Sequence, residues 1–141
     1  MLNARVDELR ISNSLDELQY VRERIKKILE DSLFTSIEKN RIILSVDEAL
    51  TNVIEHGYPD RRKAQIQIHL KINSEGNSFQ SEIIDDCIPF NPLHQLEVDP
   101  NDFILESRDG GMGIYNYLHL MKVVYNHRDE GGNHLVLIYP K

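Results

Sequence analysis

Residues 47–60 read D-E-A-L-T-N-V-I-E-H-G-Y-P-D, from Asp47 to Asp60. Glu48, Asn52 and His56 recur at every fourth position, so on an α-helix they form one polar stripe. Ile43, Val46, Leu50, Val53 and Ile54 project to another side, which predicts a helix half buried against a core. Gly57, followed by Pro59, ends it. A solvated face explains such a stripe, and so does the wall of a polar site. The spacing alone leaves both open. In the second case Glu48 is a candidate carboxylate base, and Asn52 offers an amide oxygen that can ligate Mg²⁺.

Upstream of this helix the pattern is also helical. All 7 glycines and 5 prolines lie at Gly57 or later. Ser14-Leu-Asp-Glu17 and Thr35-Ser-Ile-Glu38 read as capping boxes. The first would open a helix carrying Leu15, Leu18, Ile25, Ile28 and Leu29, the second the helix just described. Downstream the period drops to two. Ala64, Ile66, Ile68, Leu70 and Ile72 alternate with Gln65, Gln67, His69 and Lys71, which predicts a half-buried strand. S-E-G-N-S then makes a turn, and Phe79 to Ile84 a return strand. Lys122 to His127 and His134 to Tyr139, separated by D-E-G-G-N, give two more. A helix starting near Gly113 carries Ile114, Leu118 and Met121 on one face. The expected fold is α/β, a single domain over residues 1–141, with helices packed on a largely antiparallel sheet.

Composition limits the function. The chain has 141 residues, with 16 Lys and Arg against 23 Asp and Glu, a formal charge of −7. It has no clustered basic patch, which argues against a nucleic-acid or anionic-membrane surface. No apolar run is long enough to span a bilayer. The start, M-L-N-A-R-V-D-E-L-R, has charges where a signal peptide needs an apolar core. Cys87 is the only cysteine, so no intramolecular disulfide forms, and a reducing, cytoplasmic setting is expected. The histidines show no zinc-ligand spacing.

Three further stretches carry chemistry. In I-I-D-D-C-I-P-F-N-P, residues 83–92, Asp85 at a buried strand end can accept from an exocyclic amine, which distinguishes adenine from guanine. Residues 91–109 have two prolines and weak periodicity, and a loop that long in a compact domain is often an active-site lid. The loop leads into G-G-M-G, residues 110–113, at a helix start. Glycines there make a turn, and they also let main-chain N–H groups approach phosphate.

Taken in order, these stretches resemble the GHKL, or Bergerat, ATP-binding fold. Within it the chain is similar to the anti-sigma-factor serine/threonine kinases of bacterial sporulation and stress regulation. The resemblance covers nearly the whole chain and implies a two-layer α/β sandwich, its sheet mixed but mostly antiparallel, with helices on one face. It implies Glu48 as the catalytic carboxylate, Asn52 as the Mg²⁺ ligand and Asp85 as the adenine-binding aspartate. Arg108, Gly110, Gly111, Met112 and Gly113 would sit at the phosphates of ATP, and residues 91–109 would form the ATP lid. The implied partners are a STAS-domain antagonist as substrate, a sigma factor and a second copy of the chain. The sequence departs from the family pattern at two places. Cys87 and Pro89 stand where the first glycine box has glycines, and Asp109, next to Arg108, stands where some relatives have an arginine. These departures leave a second reading, a non-catalytic module of the same fold that switches partners by contact alone.

Overall fold

In a computed structural model, which describes residues 3–97 and 111–141, strand β1 (Arg5–Ser12) leads through a 3₁₀ turn (Leu15–Glu17) into helices α1 (Leu18–Leu29) and α2 (Ser36–His56). The hairpin β2 (Gln65–Ile72) and β3 (Phe79–Asp85) follows, then a 3₁₀ turn (Pro92–Glu97). Helix α3 (Gly111–Leu120), β4 (Lys122–His127) and β5 (Asn133–Tyr139) complete the chain. The strands lie in the order β1-β2-β3-β5-β4. Every pairing among the described residues is antiparallel, so the expected mixed character of the sheet is absent there.

The period-two pattern of β2 buries Ile66, Ile68, Leu70 and Ile72 on the face that meets the helices. Register carries the same alternation across the sheet, with Leu9 opposite Ile68, and Ile68 opposite Ile83. From the helices Val21, Ile25, Leu29, Ile42, Val46 and Leu50 fill the interior, and Tyr117 and Met121 of α3 extend it. The opposite sheet face is more polar, with Glu82 between His69, at 3.2 Å, and His134, at 3.5 Å.

The two expected capping boxes differ. At Thr35 both halves form: its Oγ1 accepts the Glu38 N–H at 3.2 Å, and Glu38 Oε1 accepts the Thr35 N–H at 3.0 Å. That hydrogen bond also lowers the carboxyl pKa of Glu38. Thr35→Ala is expected to destabilise the domain by about 1 kcal/mol, read as a lower urea midpoint at unchanged slope. At Ser14 no box forms. Its Oγ accepts from the Asp16 N–H, and Glu17 turns back instead to the N–H and hydroxyl of Ser12. The chain therefore enters α1 through a 3₁₀ turn, and Leu15, expected on the apolar stripe, is exposed.

Candidate nucleotide site

The C-terminal end of helix α2 lies against the segment that follows β3. Gly57 makes that approach possible. Its φ is −76°, so the left-handed conformation expected of a helix-ending glycine is not the reason for it. A Cβ there would lie 2.5 Å from the Val53 carbonyl oxygen and 2.7 Å from both Cβ and Sγ of Cys87. Helix end and strand end are also joined directly, since the Ile88 N–H donates to the Gly57 carbonyl at 3.2 Å. Beyond Gly57, Tyr58 and Arg62 both grip Asp86: the phenol donates to Oδ1 at 3.1 Å, and the guanidinium to Oδ2 at 3.1 Å and to the carbonyl at 2.8 Å. Arg62 also lies over the Tyr58 ring. The Arg62 hydrogen bond holds the Asp86 carboxyl below its ordinary pKa.

Between these elements is a cavity of about 230 Å³. Ala49, Asn52, Val53, His56 and Gly57 line it from α2. Asp85, Cys87, Ile88, Phe90 and Pro92 come from β3 and the segment after it, Ile114 and Tyr117 from α3, and Asn133 and Leu135 from β5. The walls are mostly apolar, with a few convergent polar groups, as in small-molecule sites. Its volume is below the roughly 300–1,000 Å³ typical of drug-sized ligands. That suits one planar group of a larger ligand.

The polar groups in this wall are open to a ligand. Asn52 Nδ2 is buried, and no described residue accepts a hydrogen bond from it. A buried N–H₂ donor without an acceptor is unfavourable by about 1–3 kcal/mol, so a ligand that accepts from it is favoured. Asp85 is 2 % exposed, and its Oδ1 accepts the Cys87 N–H at 3.0 Å and the Asn133 amide at 3.0 Å. Cys87, whose thiol pKa is pushed up mainly by burial, is no nucleophile. Glu48 is one turn before Asn52 on the same helix and is not in the cavity wall. Its carboxyl pKa is raised, first by burial and then by the charges of Asp47 and Glu55.

The residues expected at the site therefore divide into three groups. Asn52 and Asp85, 33 positions apart, share one cavity, and Glu48 stands one helical turn from it. Gly111, Met112 and Gly113 form the first turn of α3, which starts two residues earlier than expected. Arg108 and Gly110 lie outside the described residues, as does most of the expected lid. Its first part, Pro92–Glu97, is a 3₁₀ turn packed against α3, with Leu93 on the core. Sequence reading missed Asn133, the described cavity residue with the most hydrogen bonds.

A helical layer on an antiparallel sheet, with a cavity lined by Asp85 and Asn52 beside the strand ends, defines an α/β sandwich with a candidate small-molecule site. The chain belongs to the histidine kinase-like ATPase domain family, whose model matches residues 11–139. It is 27 % identical to the serine/threonine-protein kinase BtrW of Bordetella bronchiseptica over 96 residues, 68 % of this chain and 66 % of that protein. Its fold is similar to that of a Mycobacterium tuberculosis protein crystallised as RsbU and RsbW domains, at a TM-score of 0.59 and 17 % identity. That match covers 94 % of this chain but 32 % of the mycobacterial one. The resemblance read in the sequence thus holds at the level of family and fold, and no described helix is long and apolar enough to cross a membrane.

Proposed function

We propose that the domain binds Mg-ATP in this cavity and phosphorylates a serine or threonine of a STAS-domain antagonist, so controlling release of a sigma factor. The observation that carries the binding half is the meeting of Asp85 and Asn52, whose buried N–H₂ has no described acceptor, in one mostly apolar cavity. Support for the kinase half comes from the family and from BtrW, which is named a serine/threonine-protein kinase. The STAS and sigma partners, and a cytoplasmic location, rest on the sequence resemblance. So does homodimeric assembly, and a monomer mass by light scattering at micromolar concentration would remove it.

Each residue has a defined task in this reading. Asp85 Oδ2 accepts from the exocyclic amine of adenine, while Ile88, Phe90, Ile114 and Tyr117 cover the ring and exclude water. The Asn52 amide oxygen holds Mg²⁺, a hard ion that prefers oxygen ligands. When bound, Mg²⁺ supplies charge neutralisation at the phosphates. The main-chain N–H groups at Gly111 and Gly113 open α3, where a helix N-terminus favours phosphate. Glu48 takes or orients the proton of the acceptor hydroxyl.

Calorimetry tests the binding half. Asn52→Ala is expected to weaken ATP binding when Mg²⁺ is present and to change it little when Mg²⁺ is chelated. Asp85→Asn is expected to weaken adenine nucleotides about tenfold or more, the usual worth of a hydrogen bond to a charged group. Absence of ATP binding by the wild-type chain with Mg²⁺ would end the proposal. The second reading, a partner-switching module without catalysis, is favoured by Cys87, whose side chain fills space against Gly57 where the family has a glycine. Tight ATP and partner binding without phosphate transfer would establish it.

A further inference from the structure

Asn133 begins β5 directly opposite Asp85 and is 4 % exposed. Its Nδ2 donates to Asp85 Oδ1 and to the Ile88 carbonyl, both at 3.0 Å, and touches Cys87 Sγ at 3.1 Å. Its Oδ1 accepts the Phe90 N–H at 2.8 Å and the Tyr125 hydroxyl. The main chain settles which way this amide faces, because the Ile88 carbonyl can only accept and the Phe90 N–H can only donate. Asparagine meets both demands at this reach. Aspartate has no N–H, leucine has neither group, and glutamine is one methylene longer.

The consequence falls on Asp85. Two donors engage Oδ1, which fixes the carboxylate in the wall of the cavity. An oxygen that only accepts attracts an amine on the bound base and repels a carbonyl oxygen at the same place. Without the amide, one donor remains on Oδ1, and the carboxylate is free to turn about its broad terminal torsion. We propose that Asn133 is a positioning residue for base selection: by fixing Asp85 it makes the site prefer 6-aminopurine over 6-oxopurine nucleotides. The inference rests on the nucleotide reading above and assigns the residue that sets its selectivity.

The test compares ADP with inosine diphosphate, with Mg²⁺ present, by calorimetry on the full chain. The wild type is expected to favour ADP by about tenfold or more, the usual worth of a hydrogen bond to a charged group. Asn133→Ala is expected to bring the two affinities within about threefold, and to leave the ratio unaltered when added to Asp85→Asn, because both act through one carboxylate. A purely structural role would weaken both ligands equally and keep the ratio, which would overturn the inference. Should Asn133→Ala not fold, Asn133→Leu removes the N–H₂ on Asp85 Oδ1 while keeping nearly the same side-chain volume. A lower ratio there supports the inference, and an unchanged one overturns it. A wild type that binds neither nucleotide removes the nucleotide reading together with the inference. A wild type that binds both equally removes the selectivity alone.

Discussion

Glu48→Gln is expected to lower phosphate transfer to a STAS acceptor by roughly 10²–10⁴-fold, the usual contribution of a positioned general base, while ATP binding persists. The geometry motivates the separation, since Glu48 is outside the cavity wall that holds Asn52 and Asp85. Its raised carboxyl pKa adds two checks. A base must be ionised, so the acid limb of transfer against pH should lie above the ordinary glutamate range. A carboxyl with a raised folded-state pKa disfavours the folded state while ionised, and the penalty is relieved as pH falls through that pKa. The Gln variant should therefore melt at the same temperature or slightly higher at neutral pH. Transfer assays with labelled ATP and thermal melts read both. Equal transfer by wild type and variant would remove Glu48 from the mechanism.

Gly132→Ala is expected to destabilise the domain by about 3–5 kcal/mol and to abolish nucleotide binding in whatever still folds. Gly132 has φ +103°, in the region that disfavours side chains by about 1–3 kcal/mol. Its Cβ would meet the Asp85 carbonyl oxygen at 2.1 Å and Asp86 Cα at 2.6 Å, and both are main chain that cannot step aside. Overpacking adds about 1–3 kcal/mol more. The clash is with the turn that carries Asp85 into the cavity wall, so relief would come by moving Asp85. Arg128 holds that same carbonyl from the β4–β5 turn, at 2.6 Å, and would be displaced with it. Urea unfolding and ADP calorimetry measure the two effects. Gly131→Ala is the control: its φ is +97°, but no atom of the described residues lies within 4 Å of its Cβ. It should show the conformational cost without the loss of binding. Similar losses at both positions would remove the close approach as the cause.

Secondary structure was legible wherever a local pattern encoded it. The alternation from Gln65 to Ile72 and the Thr35 box each lie within a few residues and form as expected. The buried stripe of α2 instead runs through Ile42, Val46, Ala49 and Leu50, with the expected Ile43, Val53 and Ile54 only partly buried. Ser14 shows the limit of such patterns, because Glu17 prefers the groups of Ser12, which only the turn out of β1 brings near. The candidate site was half legible. Glu48, Asn52 and Asp85 stand out through spacing and motif order, whereas Asn133 lies in a glycine-rich turn with nothing local to mark it.

By itself, the sequence determined the elements, their order and the polar stripe of α2, because helix and strand periods and caps depend on near neighbours. It also carried the family, through the order of its motifs. Tertiary structure alone decided what meets at the cavity. Inserting β5 between β3 and β4 sets Asn133 opposite Asp85 across 48 positions, and the contact of Gly57 with Cys87 brings the end of α2 onto the end of β3. Those pairings follow from how whole apolar faces pack and fix register, a property that no short stretch of the chain contains.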